Sequence, residues 1–474
     1  MKESIKIETI QFDKKSQLKL IFKFVLAALS CLFFVIPPFP GLTRPAMNYL
    51  GVFLLIIIFM MIHIVADYVV IILGLMLMVV VGVGSFREVF SLFGDTSFWN
   101  LIGIFGFSAG VINSGLLNRL TNKLFSIFPD TIVGQVTAIF ISGLILSPLI
   151  PSVTAKMTLL ASFAVVIAQQ HGYAKSSKEA VALYIAMYLS GYVFGIAFST
   201  GGTSAAIIVG MLEKQKLNFG SYLANSFVWL LLVALVFYLI LLQMFKGDKN
   251  HQPQKTTTTT TKTEPMSKNE KFTMWVLIIA LFFWIFGPIF NVPSYLVGVV
   301  ALCAFLTQGT LSTKEFKSKI SWDMVILITG FMETAQLLTD LHIDTWLANK
   351  MAPILGPVVN NIYIFIPVLC LLVVLVRTFV VSEVACMSIF YALFAESCAE
   401  VGINAFIILF ITLVISQTWH TSYNQMGFDA AQAATDRSLV EYQDIQKFSW
   451  MYIVVCVVIF ELSVPLWHLT GMIK

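Results

Sequence analysis

Ser152, Thr154 and Lys156 follow Pro148 and Pro151 in the middle of a long apolar run, and 230 positions later Ser382 and Glu383 stand in the same register. The register extends through Ala155 and Met157, which match Ala385 and Met387, and on to Gly172, which matches Gly402. Hydroxyls at such a place can ligate an ion or a small ligand, and they can also satisfy backbone freed where a helix breaks. Lys156 falls one helical turn after Ser152. A cation there opposes the helix macrodipole by about 0.3–1 kcal/mol and costs roughly 2.5–3.5 kcal/mol more if it lies in a bilayer, so it calls for a bound anionic substrate, an acidic neighbour or a place at the wall of a wet vestibule.

Glu383 is the obvious acidic neighbour, and a Lys156–Glu383 bridge is the structural alternative to a functional role for either residue. A carboxylate at that point is favoured by a helix N-terminus and penalised by burial, which makes it a candidate proton carrier. Arg377 sits five residues before Ser382, where its planar fork suits a carboxylate, sulfate or phosphate group, a freed carbonyl or Glu383. Two further polar interruptions matter: Ser199-Thr200-Gly201-Gly202-Thr203-Ser204, and Thr418-Trp419-His420-Thr421-Ser422 with Asn424 beyond it. His420 is read as a hydrogen-bonded side chain or as a titrating group. Glu333 is assigned to a supporting helix, Asp323 to an interface, and Glu396 and Glu400 to solvent.

The elements that must position these residues are transmembrane helices. Of 474 residues, 58% are hydrophobic and only 11% are charged, too few to coat a soluble globule. Apolar runs of roughly 17–25 residues fit helices crossing a core about 30 Å thick, so the expected fold is an all-α integral membrane protein. A net charge of +4 is too small to suggest nucleic acid as a partner, and none is expected. The six cysteines have no paired spacing, which argues against disulfides and a zinc site. No cofactor is expected, and the helices carry no constellation for an enzyme.

In chain order, 1–46 holds a lysine-rich cytoplasmic tail and the first crossing, and 47–245 forms a first repeat with a re-entrant hairpin at 132–169 and a broken helix at 181–212. A linker at 246–271 contains Lys255 and the run Thr256 to Thr261. A second repeat, 272–474, has its hairpin at 360–398, its broken helix at 403–428 and a polar loop from Asp429 to Lys447. This gives eleven crossings and two hairpins. Each repeat has an odd number of crossings, so the two are inverted, with the N-terminus and linker cytoplasmic, the C-terminus opposite, and a site between the breaks near mid-membrane.

This pattern, over nearly the whole chain, resembles the divalent anion/sodium symporter family, the dicarboxylate, citrate and sulfate carriers. In that family each hairpin tip carries Ser-Asn-Thr and each break Gly-Thr-Pro or a similar sequence. The resemblance implies that tips and breaks hold sodium ions, that the tips touch substrate carboxylates, and that the protein is a homodimer in the cell membrane. Carried over, the substrate-binding residues are Ser152, Val153, Thr154, Lys156, Thr203, Ser204, Arg377, Ser382, Glu383, Thr421, Ser422 and Asn424. The ion-binding set is Ser152, Thr154, Gly202, Ser382, Glu383 and His420. Here the tips read Ser152-Val153-Thr154 and Ser382-Glu383-Val384, so both asparagines are replaced. Lys156 is then a fixed positive charge in place of a sodium ion. The expectation is an alternating-access, elevator-type carrier of small anions that works by exchange or proton coupling rather than sodium symport. The alternatives are a sodium/proton antiporter with Glu383 as its essential acid, and a non-transporting receptor locked by a Lys156–Glu383 bridge.

Overall fold

The computed structural model describes residues 28, 30–62, 65–150, 152–212, 217–245, 265–378, 380, 382–421 and 426–474. Most of the expected first crossing and linker positions 246–264 lie outside them. Within the described residues the chain is helical with no β-strand, and ten α-helices of the first half are followed by ten of the second in the same order. The first series is α1 (Arg44–Ile62), α2 (Asp67–Val80), α3 (Phe86–Val89), α4 (Thr96–Asn113), α5 (Leu116–Ile127), α6 (Ile132–Leu146), α7 (Val153–Gln170), α8 (Lys178–Tyr188), α9 (Thr203–Met211) and α10 (Phe219–Gln243). The second is α11 (Lys268–Phe286), α12 (Ser294–Gln308), α13 (Thr313–Lys319), α14 (Trp322–Asp340), α15 (Ile343–Val359), α16 (Ile362–Arg377), α17 (Glu383–Glu400), α18 (Ala405–Ser416), α19 (Met426–Ala434) and α20 (Tyr442–Leu469).

The correspondence reaches individual residues. α7 and α17 have 18 residues each and begin 230 positions apart, as Ser152 and Ser382 require. Ser85 and Ser312 close equivalent capping boxes with Glu88 and Glu315. The Ser312 amide and hydroxyl, together with the side chain of Asn113, hold the carboxyl of Glu315, in the first turn of α13, down to about 2.

The two series interlock through equivalent contacts. α4 packs on α12 and its counterpart α14 packs on α2, while α10 and α20 pack on each other. A stripe of small residues lets α4 approach closely. A Cβ on Gly103 would stand 2.7 Å from the Val299 amide nitrogen and 2.8 Å from the Gly298 carbonyl carbon. One on Gly106 or Gly110 would run into Leu302 or Phe305. At the matching crossing, a Cβ on Gly330 would meet Ile71 at 2.5 Å.

By length and composition, four described spans suffice to cross a bilayer: Lys178–Ala197, Phe219–Gln243, Lys268–Phe286 and Tyr442–Leu469. They are buried very unequally. The first is 94% buried, against 39%, 28% and 39% for the others. The protein thus encloses the helix whose backbone is broken, as it must where no water or lipid can satisfy freed amides and carbonyls.

Several expected boundaries shift. The linker ends before Ser267, which caps α11, rather than at 271. Asp429 to Ala434 belong to α19 rather than to a loop, and the last helix opens at Tyr442 rather than Phe448. The first break starts earlier than Ser199, because a π-helical turn over Leu189–Val193 and a 3-10 turn over Phe194–Ala197 follow α8. α5 and α15, equivalent helices leading into the two hairpins, have no counterpart in the sequence reading.

Gly103→Val forces a branched side chain against the α12 backbone. Overpacking costs about 1–3 kcal/mol, so the purified variant in detergent should melt well below the native protein, and an unchanged melting temperature would contradict the close crossing.

Candidate functional site at the two hairpin tips

Both tips are built by the same local device. Ser152 Oγ accepts the Ala155 amide at 3.3 Å and Ser382 Oγ accepts the Ala385 amide at 3.3 Å, so each serine caps the helix that follows a proline-broken or bent backbone. These two hydroxyls serve the backbone. Val153 and Glu383 are the first helical residues after the caps, which sets a half-buried apolar side chain opposite an equivalent carboxylate.

One turn further on, Lys156 is fully buried. Its Nζ donates to the carbonyl of Gly201 at 2.6 Å, inside the first break. Glycine is required around it. A Cβ on Gly195 would lie 2.5 Å from Nζ, and one on Gly201 would lie 2.2 Å from the Gly195 carbonyl oxygen. The Lys156–Glu383 bridge is not formed: the ion pairs among the described residues involve other side chains. An ammonium has three donors, and the Gly201 carbonyl takes one.

Other freed carbonyls find side-chain donors, the accounting that buried backbone demands. Ser147 donates to Ser190 O at 3.2 Å, Tyr222 to Ile196 O at 3.0 Å, Ser226 to Ala197 O at 2.7 Å and Thr200 to Pro148 O at 2.8 Å. In the second break Tyr442 donates to His420 O at 2.6 Å, and the Trp419 amide donates to Ser449 Oγ at 3.0 Å. Ser449 is the counterpart of Ser226, so the last helix of each half braces its own break.

Glu383 joins the second tip to both breaks. Its Oε1 accepts from the Tyr192 hydroxyl at 2.7 Å, and its Oε2 accepts from Ser204 Oγ at 2.9 Å and from Gln417 Nε2 at 3.0 Å. Tyr192 lies in the π-helical turn, Ser204 at the start of α9 and Gln417 at the end of α18. Three neutral donors from three elements therefore hold one carboxylate. Tyr192 is itself fixed, because a Cβ on Gly427 at the start of α19 would stand 2.3 Å from its ring.

Arg377 ends α16, buried, with Nη1 donating to Val380 O at 2.9 Å across the tip. His420 shares a hydrogen bond with Thr418 Oγ1 at 2.9 Å through Nδ1 and with Thr378 Oγ1 at 3.4 Å through Nε2. Gly202 is the N-cap of α9 in extended backbone. Thr421 is half-buried at the edge of the second break. The side chains of Thr154 and Thr203, and residues Ser422 and Asn424, lie outside what is described. Glu333 accepts from Ser91 Oγ at 3.0 Å and the Leu92 amide at 2.7 Å, which makes it a clamp on the 91–94 turn. Among the described residues no three His, Cys, Asp or Glu side chains gather as a metal site.

Sequence reasoning named Lys156, Ser204, Glu383 and Arg377 but missed Tyr192 and Gln417. Gln417 carries a signal, being the polar residue that ends an apolar run. Tyr192 carries none, since nothing near it in the chain points to a carboxylate 191 positions away.

Bonds to a charged acceptor are worth about 1.5–3 kcal/mol each. A double-mutant cycle of Tyr192→Phe with Glu383→Gln, read by chemical or thermal unfolding, should show coupling of that order. Tyr192→Phe with Lys156→Met should be additive within about 0.5 kcal/mol; equal coupling in both cycles would contradict the geometry.

The profile of the sodium:sulfate symporter transmembrane region matches residues 17–471. Among curated proteins, the chain is 23% identical over 398 residues to the chloroplastic dicarboxylate transporter 1 of Spinacia oleracea, covering 80% of this chain and 69% of that one. It is 22% identical to the putative malate transporter YflS of Bacillus subtilis, over 71% of this chain and 73% of that one. It is 26% identical to the inner membrane protein YbhI of Escherichia coli, over 71% and 73%. Among solved structures, the YdaH transporter of Alcanivorax borkumensis superposes with a TM-score of 0.56 at 14% identity, covering 90% of this chain and 99% of that one. MtrF of Neisseria gonorrhoeae gives 0.56 at 13%, covering 92% and 96%. These two likenesses concern the fold. The family match, which spans almost the entire chain, makes this a multi-pass membrane transporter of a small anion rather than an enzyme: the chain belongs to the divalent anion:sodium symporter family.

Proposed function

We propose that the chain is a secondary active transporter that exchanges one small dicarboxylate or similar oxyanion for another, with Lys156 supplying the positive charge that a sodium ion supplies elsewhere in the family. The observation that carries this reading is the buried Lys156 ammonium, held on the Gly201 carbonyl between the first tip and the first break with no carboxylate paired to it among the described residues. Placing a charge there costs roughly 2.5–3.5 kcal/mol on insertion scales, and a bound anion offsets that cost whenever the site is loaded. The dicarboxylate and malate carriers among its relatives support this substrate class.

The two helix series and their interlocking contacts support an inverted repeat with domain limits near 47–245 and 272–474, a cytoplasmic N-terminus and linker, and an elevator-type movement of the hairpins and breaks against α4, α12, α2 and α14. The family resemblance supports a homodimer. A second reading rests on Glu383: a carboxylate reached from three elements by hydroxyl and amide donors is placed to carry a proton, which would make transport pH-dependent through that residue.

Proteoliposomes loaded with malate and suspended in sodium-free buffer should take up labelled malate, and empty ones should not. Uptake that needs an inward sodium gradient and ignores internal malate would refute exchange. For the second reading, Glu383→Gln should remove any stimulation by an imposed pH gradient while counterflow persists.

A further inference from the structure

One cavity among the described residues is lined by none of the tip residues. It holds about 570 Å³, within the range of small-molecule sites, and lies where the start of α4, the body of α9, the start of α10 and the loop before α12 meet. Thr96, Asn100, Asn218 and Asn291 give it a polar side, and Val209 and Leu217 line the apolar one. Among the described residues that line it there is no aspartate, glutamate, lysine or arginine.

Asn100 sets the cavity apart from a packing defect. It stands in a helix that packs inside the protein, and its amide makes no hydrogen bond among the described residues. Half-buried, that amide is open to water or to a ligand in the cavity. The same residue, with Val209 and Leu217, also lines a second, small cavity of about 20 Å³, enough for one water. That small cavity touches Ser199 and Thr200 of the first break. The next residue is Gly201, whose carbonyl holds the Lys156 ammonium. Asn100 therefore lines both the large cavity and the small one that reaches the first break.

The sidedness follows from α4 itself. Its 18 residues run about 27 Å at 1.5 Å per residue, from the cavity at Thr96 to Asn113. Asn113 bonds Thr310 O and Glu315 beside Lys319, and Arg119 pairs with Glu270 nearby. Lys123, Lys314 and Lys317 cluster at this end in sequence. Such lysine- and arginine-rich loops stay in the cytoplasm. The cavity is at the other end.

We infer that this cavity is an outer waiting site for the transported anion, and that the Asn100 amide is the hydrogen-bond donor that passes a carboxylate or oxyanion towards the first break and Lys156. This inference rests on the exchange reading above. Neutral amides suit the role. They recognise an anion weakly enough to release it, whereas a fixed cation there would retain it.

Accessibility tests this directly. The exposed native cysteines, Cys31 and Cys303, are replaced by serine, and the remaining four are buried. In that background Asn100→Cys and, as a second position at the mouth, Thr96→Cys are treated from outside with an anionic, membrane-impermeant methanethiosulfonate. Both should be modified, modification at 100 should block malate exchange, and malate should slow it severalfold. Separately, Asn100→Leu should raise KM for malate about tenfold or more, the worth of one hydrogen bond to a charged group, with kcat retained. Modification by an apolar maleimide but not by the anionic reagent would mean that the cavity holds lipid and would overturn the inference. An unchanged KM in Asn100→Leu, with no protection by malate, would overturn it too. In both cases exchange by the unmutated protein leaves the function reading standing, whereas absence of malate exchange by that protein overturns both.

Discussion

The rest of the structure depends on the contact between the Lys156 ammonium and the Gly201 carbonyl. A helix interrupted inside a membrane leaves carbonyls that neither water nor lipid can satisfy, and each costs several kcal/mol if left alone. Most freed carbonyls around the first break receive a neutral hydroxyl, from Ser147, Tyr222 or Ser226. Gly201 receives a cation instead. That choice imposes further demands: Gly195 and Gly201 must lack side chains, and the span that leads into the break must be wrapped by protein, as the 94% burial of Lys178–Ala197 records.

Two series of helices with one order do not yield two equal sites. At the position where the first tip has Val153, the second has Glu383, and where the first has Lys156 the second has Cys386. Arg377 corresponds in the same way to Ser147. The backbone device, a serine cap opening an 18-residue helix, is kept in both halves, while the charges are distributed between them. One tip presents a cation to its own break. The other presents a carboxylate that reaches the first break through Tyr192 and Ser204 and the second through Gln417. Glu383 therefore ties the two halves together, and a change of its charge is felt by three elements at once.

Much of this was legible in the sequence because its causes are local. The repeat of Ser152 at Ser382 and of Gly172 at Gly402 marks helix starts and ends, and the structure places a cap at each serine and positive φ at each glycine. Apolar length marked the long helices. α5, with Asn118, Arg119, Asn122 and Lys123, has no counterpart in the sequence reading because its helical signal is amphipathic rather than a continuous apolar run. α19 and the start of α20 were hidden in the same way, since polar residues in contact with protein look the same in sequence as polar residues in water. The Lys156–Glu383 bridge was a reasonable expectation from two opposite charges on facing tips. Each group instead finds nearer partners in the breaks, whose carbonyl and hydroxyl positions depend on π-helical and 3-10 turns that no spacing rule anticipates.

The central claim is that a protein cation, not sodium, completes the first tip. Malate affinity measured calorimetrically on the purified protein, with sodium replaced stepwise by choline, tests it most directly. Affinity that stays constant across the series in the native protein, and is lost in Lys156→Gln, is the expected result. Affinity that rises with sodium in the native protein, or survives intact in Lys156→Gln, would contradict it.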